Sequence, residues 1–352
     1  MSNINRFLFR NGVIASNGDA QPVTTLLQSH SGAYTTTRTL DNGSQLLLWE
    51  RHLTRLCDSV QVLINSKPEY LFGSKKFMFR LDMLSVKSSM WDSLVRILVN
   101  DSMKKALPVV LEGRKYEEEI AVTTLVSGNL EELGDVEDLD EQRIYEILNV
   151  YLHFGSYVPP VFGIQGKGAH LAVVGHGRDV ANAKYSDWVR HRKHLEKLKP
   201  PSVTELLLSS DGDHILEGSV TNFFVVCVKD RNEEGVEIQT APLQAGVLPG
   251  VIRQVIIDIC SRNAIPFKEV APSWSQREIW SEAFITSSLR LLQYVETILA
   301  PTSWKSLESK TWTGITWEEK LFQESPGRIT SIIKEEISKY ARREACPISS
   351  FK

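Results

Sequence analysis

The stretch Leu216–Val226, LEGSVTNFFVV, brings a carboxylate and an amide to the mouth of an apolar strand. Glu217 opens it, small and polar residues follow, and Asn222 leads directly into Phe223–Val228. That apolar run lacks the polar alternation of a half-exposed strand, so it reads as a strand buried on both faces. Gly218, Ser219 and Asn222 are ordinary turn residues, so the stretch reads first as a tight turn. The glutamate admits a second reading, as a group aimed at something charged.

Two further features lie in order around it. Upstream, Lys184 in NAKYSDW follows an expected strand and a glycine-containing loop and precedes a helical stretch. Downstream, GVLPGVIR places a helix start after the next strand, with Pro249 and Gly250 where proline is tolerated. A helix start offers unpaired backbone N–H groups and a positive dipole end, which suits a phosphate. Taken singly, each has a plain reading: a solvated lysine, a turn, a common helix opening. Together they are the needs of pyridoxal 5′-phosphate. A lysine amine forms a Schiff base with the aldehyde, and a carboxylate keeps the pyridine nitrogen protonated. The ring then accepts electrons when a bond at the substrate α-carbon breaks, and the phosphate anchors the whole.

The bulk properties frame this. A chain of 352 residues is long for one hydrophobic core and predicts two domains. A net charge of −3 gives no electrostatic case for nucleic acid or an anionic membrane surface. The opening residues MSNINRFLFRNG lack a basic stretch followed by a long apolar one, so no secretory signal is expected. No apolar run reaches the length of a membrane-spanning helix. Cys57, Cys227, Cys260 and Cys346 form no CxxC pair, so neither a metal site nor a redox motif is expected. A reducing compartment, the cytoplasm, is the simplest setting.

The N-terminal half alternates strands and helices. FLFRNGVIA predicts a hairpin turning at Asn11-Gly12. AYTTTRTL reads as a strand, DNG at 41–43 as a turn, and SQLLLW as the returning strand. A helix is expected from about Arg51, with Leu53, Leu56, Val60 and Leu63 on one face, and a longer one over about 76–100. EIAVTTLV and NVYLHF read as strands, and the acidic run GNLEELGDVEDLDEQR as a solvated loop. GSYVPPVFGIQGKG, 155–168, has four Gly and two Pro and reads as a linker. Beyond it HLAVVG, TELLLSS, HILEG, NFFVVCV and VEIQT read as strands. Apolar residues at 251, 252, 255, 256 and 259 predict a helix, and a charged helix is expected from about Ile329.

With Lys184, EGSVTNFF and LPGVIR in this order, the sequence resembles the class IV, or fold type IV, pyridoxal-phosphate enzymes. These include branched-chain aminotransferases, D-amino acid aminotransferases and 4-amino-4-deoxychorismate lyases. GAYTTTRT, RHLTRL and FITSSLRL match further elements of the family, so the resemblance runs from about residue 6 to about 300. It implies an α/β (α+β) fold with a small α/β domain over 1–156 and a linker over 157–168. A larger barrel-like α/β domain over 169–352 would carry Lys184 and Glu217 and end in a helical extension. It also implies an active site in the cleft between the domains, and a homodimer.

Residue by residue, the resemblance implies that Lys184 is the Schiff-base lysine and proton shuttle. Glu217 would partner the pyridine nitrogen, with Asn222 as a buried amide beside it. Arg55 would bind phosphate through its forked donors, Val251 and Ile252 through backbone N–H groups, and Ser287 and Ser288 from the opposite side. Tyr34 and Arg38 would line the substrate pocket.

Four departures bear on the reaction. The family strand reads Phe-Glu-Gly in branched-chain enzymes and Tyr-Glu in D-amino acid enzymes, whereas here it is Tyr34-Thr35-Thr36-Thr37-Arg38, closer to some aminodeoxychorismate lyases. Val189 stands where branched-chain enzymes carry a tyrosine for the cofactor phenolate. Ile252 replaces a threonine of the family's LPG-Ile-Thr-Arg. IAVTTLVSGN lacks the arginine with which D-amino acid enzymes grip the substrate carboxylate. The expected activity is transamination between an amino acid and a 2-oxo acid through Lys184. The alternatives are pyruvate elimination from aminodeoxychorismate to p-aminobenzoate, and a catalytically inactive relative acting as a scaffold.

Overall fold

The computed structural model describes residues 6–73, 88–113, 118–129, 146–228, 235–308, 311–323 and 325–351. The acidic run from residue 130 on, and the start of the helix expected from about residue 76, lie outside these residues. The chain packs as two compact units. One comprises Met1–Pro159, Ala183–Arg190 and Ala341–Lys352, the other Pro160–Asn182 and His191–Tyr340.

In the first unit, β1 (Arg6–Arg10) and β2 (Val13–Gly18) form the expected hairpin. Its turn puts Asn11 at φ 51° and Gly12 at φ 75°, the left-handed pair that a two-residue hairpin turn requires. β3 (Ala33–Leu40), β4 (Gln45–Leu46), β5 (Glu119–Gly128), β6 (Leu148–Tyr157) and β16 (Cys346–Pro347) make a sheet in the order β16-β4-β3-β5-β6. Helix α1 (Val23–Ser29) precedes β3. Helix α2 (Trp49–Ser66) packs against β3 and buries Leu53, Leu56, Val60 and Leu63, the predicted stripe. Each such side chain contributes about 1.5–3 kcal/mol when removed from water. Helix α3 (Glu69–Phe72) follows, and α4 (Ser88–Gly113) runs well past the expected end, through Pro108.

Two expectations change here. SQLLLW is a strand for two residues only. Leu47 donates its N–H to the Arg38 carbonyl, then Leu48 turns left-handed (φ 49°) and opens α2 at Trp49. An apolar run without periodicity does not separate a strand from a helix start. The other concerns Lys184. Its segment extends the end of β3, with the Tyr34 N–H on the Lys184 carbonyl at 2.8 Å, the Ser186 N–H on the Gly32 carbonyl at 2.9 Å, and a bridge between Ala33 and Tyr185. These bonds group Ala183–Arg190 with the first unit. Only one short helical turn, α5 (Trp188–His191), follows the lysine, and α6 (Lys193–Glu196) is as brief.

The second unit is a barrel. β7 (Ala169–Val174), β8 (Glu205–Ser209), β9 (Ile215–Gly218), β10 (Asn222–Val228), β13 (Trp280–Ser287) and β14 (Leu291–Pro301) form a ring, with β7 parallel to β8 and β14 and the other pairs antiparallel. β11 (Val236–Thr240), β12 (Phe267–Glu269) and β15 (Trp317–Leu321) extend the sheet. The ring closes between β9 and β10 through one residue pair, Glu217 against Asn222. Its core holds Leu171, Val173, Leu207, Ile215, Phe223, Val225, Ile285 and Val295. Helix α7 (Val251–Arg262) turns Val251, Ile252, Val255, Ile256 and Ile259 inward, as the spacing predicts. Helix α8 is Arg328–Arg343.

Candidate active site

Lys184 is half-buried, and its backbone is held from two sides: the carbonyl by Tyr34, and the N–H by Ser59 Oγ at 3.1 Å. Its Nζ lies over the Tyr34 ring, 4.7 Å from the centroid. The amine therefore rests on an aromatic face. Tyr34 is itself buried and packs with Leu26, Leu27, Leu125 and Val189. Val189 thus fills apolar space against Tyr34, where a branched-chain enzyme would carry a phenol.

The opposite face of β3 serves Arg55. This arginine is buried, and its Nη2 donates to Thr35 Oγ1 at 2.8 Å, which lies 2.8 Å from His52 Nδ1. Thr35 Oγ1 thus joins the guanidinium to the imidazole. Burial, then the charges of Arg55 and Lys184, push the His52 pKa well below its ordinary value, so it is neutral. The threonines of Tyr34-Thr35-Thr36-Thr37-Arg38 are engaged within this scaffold: Thr37 donates to the Leu47 carbonyl and Thr36 pairs with Thr123. Arg38 stands four residues from Tyr34 on the same face of β3, about 13 Å along the strand. It bonds the Thr39 carbonyl and lies over the Tyr157 ring. Arg38 is thus held by its own sheet, away from the lysine end.

In the second unit the strand register builds a polar row. Glu217 pairs with Leu208 and Asn222, and Asn222 with Thr286, so Glu217, Asn222 and Thr286 share the face opposite the barrel core. All three are buried. Glu217 Oε1 takes Arg178 Nε at 2.9 Å and Nη2 at 2.8 Å, and Oε2 takes the Leu248 N–H at 3.0 Å. Asn222 donates to the Leu248 carbonyl at 2.9 Å. The start of α7 is thereby laid against the row. Gly250 is its N-cap, and a Cβ there would stand 1.9 Å from Asn222 Oδ1. Gly250 brings no capping side chain, and the first turn of α7 has no acidic residue, so the Val251 and Ile252 end is electropositive and open to an anion. Thr286 Oγ1 is buried without a hydrogen-bond partner. Ser287 and Ser288 are half-buried, and Ser287 Oγ accepts the Arg290 N–H at 3.3 Å. An anchored carboxylate, an orphaned hydroxyl and an uncapped helix end fit a cofactor with a basic ring nitrogen and a phosphate.

The sequence matches the family described as "Amino-transferase class IV" over residues 32–298. The chain belongs to the class IV aminotransferase family. Its members are pyridoxal-phosphate-dependent enzymes, and the fold agrees. The branched-chain amino acid aminotransferase of Escherichia coli superposes with a TM-score of 0.60 at 15% identity, covering 98% of this chain and 99% of that one. An aminotransferase from Brucella abortus, determined with the co-factor PLP bound, gives 0.60 at 14% identity, covering 96% and 99%. At such identities the likeness is one of fold. In sequence, the mitochondrial branched-chain-amino-acid aminotransferase of Schizosaccharomyces pombe is 37% identical over 76 residues, which span 21% of this chain and only 17% of that protein.

Within each unit the structure brings predicted residues together: Lys184 with Tyr34 in the first, Glu217 with Asn222 and the α7 start in the second. Sequence reasoning missed Arg178 and Thr286. Arg178 lies six residues before Lys184 in an irregular loop, where no periodicity marks it. Thr286 follows from the register only once Asn222 is paired with it.

Proposed function

We propose that this enzyme transfers an amino group between an amino acid and a 2-oxo acid. The observation that carries this reading is the Lys184 amine, held at a fixed backbone position against the Tyr34 ring. Pyridoxal phosphate, when bound, supplies an aldehyde that condenses with a primary amine, and a ring that accepts the electron pair released at the substrate α-carbon. Lys184 Nζ would be that amine and, once displaced by substrate, would carry the α-proton to the cofactor's aldehyde carbon. Glu217 holds a proton on the ring nitrogen. Arg55, the Val251 and Ile252 N–H groups, Ser287 and Ser288 take the phosphate, and Asn222 fixes the helix end that presents those N–H groups. Tyr34 lines the substrate side next to Lys184, with Arg38, about 13 Å further along β3, at its far end.

The four free thiols suit a reducing compartment, and we place the protein in the cytoplasm as a homodimer. Among the described residues no helix is long and apolar enough to cross a membrane.

A second reading is aminodeoxychorismate lyase, favoured by Thr35, which engages Arg55 where branched-chain enzymes carry a glutamate. Borohydride reduction of the cofactor-loaded protein, followed by peptide mapping, should fix the label on Lys184; an unlabelled Lys184 overturns the assignment. Gel filtration of the same preparation reads the dimer. Product analysis then separates the reactions. Transamination consumes a 2-oxo acid acceptor, while the lyase releases pyruvate from aminodeoxychorismate without one.

A further inference from the structure

Glu205 has no part in the chemistry above, yet its carboxylate is among the most fully bonded in the second unit. It begins β8 and is 5% exposed. Oε1 accepts the Val220 N–H at 3.1 Å and the Thr221 hydroxyl at 2.7 Å, and Oε2 accepts Arg290 Nη2 at 2.9 Å. Val220 and Thr221 lie in the turn between Glu217 and Asn222. Arg290 lies in the turn after Ser287 and Ser288. There its N–H donates to Ser287 Oγ and its Nη1 to Gln293 Oε1 at 2.9 Å. The Glu217 end has no slack. A Cβ on Gly218 would stand 2.0 Å from Thr221 Oγ1 and 2.6 Å from Glu205 Oε1. Hiding a carboxylate is unfavourable unless its lone pairs are filled, and Glu205 fills them from two separate segments of chain.

We propose that Glu205, through Arg290, is a positioning residue that sets the spacing between the turn carrying Glu217 and Asn222 and the turn carrying Ser287 and Ser288. The proposal rests on the assignment of these turns to the cofactor ring nitrogen and phosphate. The brace prepares both anchor points before the cofactor arrives. Its contribution therefore falls on the intact cofactor, which spans the two, and not on either half alone.

The test titrates the cofactor-free full-length protein with pyridoxal phosphate, with pyridoxal and with inorganic phosphate. Glu205→Gln and Arg290→Gln should each weaken pyridoxal phosphate by about tenfold, the equivalent of a charge-assisted hydrogen bond. Pyridoxal and phosphate taken separately should change by less than about twofold, within the scatter of a neutral surface change. Arg290→Lys should recover most of the loss. The two glutamine variants alter net charge in opposite directions, so a common loss is not a long-range charge effect.

Unchanged pyridoxal phosphate affinity overturns the brace. So does a loss shared equally by the two halves, which would mark local packing only. If Glu205→Gln fails to fold, Arg290→Gln, with its half-exposed side chain, decides the matter. Two controls read the underlying assignment: Glu217→Gln should weaken pyridoxal and Ser288→Ala should weaken phosphate. If neither does, the assignment of the turns falls and the brace with it, whereas the two failures above leave the assignment standing.

Discussion

Glu217 and Arg178 face each other almost sealed from water, with side chains 2% and 5% exposed. Each charge is tolerable only because the other is present. Arg178→Met should therefore destabilise the protein by about 3–5 kcal/mol, read by urea unfolding, because it strands a buried carboxylate. Adding Glu217→Gln should restore a large part of that loss. If the double variant is no more stable than the single one, the pair is not coupled. The pairing has a chemical side too. The guanidinium fixes the position of Oε1 through two of its nitrogens. The carboxylate was legible in LEGSVTNFF by its placement at the head of a strand. Its guanidinium was not, because one arginine in a loop carries no pattern until the fold supplies a partner.

The α7 start depends on a glycine for reasons of space. Gly250 has an ordinary φ of −67°, so any residue could adopt its backbone. What excludes a side chain is Asn222, whose amide is committed to the Leu248 carbonyl. Gly250→Ala should push Asn222 off that bond, lowering stability by about 1–3 kcal/mol. It should also weaken phosphate binding by shifting the helix end. Wild-type stability and phosphate affinity in this variant would refute the packing argument. At this scale the sequence spoke clearly where periodicity was strong. The apolar spacings of α2 and α7, the Asn11-Gly12 hairpin and the continuous run of β10 all read correctly. It was mute where an apolar run changed element midway, at Gln45–Trp49. It misled on Lys184, because backbone bonds to Tyr34 and Gly32 tie the lysine to a unit from which it is distant in sequence.

For the molecule as a whole, two histidines of the first unit set its response to acid. Burial pushes the pKa of His52 well below its ordinary 6.5, and that of His153 below it as well. The unfolded chain takes up these protons near pH 6.5 while the folded chain does not. Stability is thus complete above that value and declines as the pH falls through it. The unfolding free energy should drop between pH 7 and pH 5.5. In His52→Gln the slope should be shallower by up to about 1.4 kcal/mol per pH unit, one proton's worth. Parallel slopes would mean that His52 titrates normally in the folded protein.

The burial of Arg178 against Glu217 has a consequence for descent. The residue assigned to the electron sink is also the partner of a buried charge, and Arg178 would be left stranded without it. A descendant could abandon its chemistry through Lys184, whose backbone bonds to Tyr34 and Ser59 do not depend on the amine. It could not do so through Glu217 without depriving the buried Arg178 guanidinium of its carboxylate partner. An inherited loss of function in this architecture should therefore begin at the lysine and leave the glutamate in place.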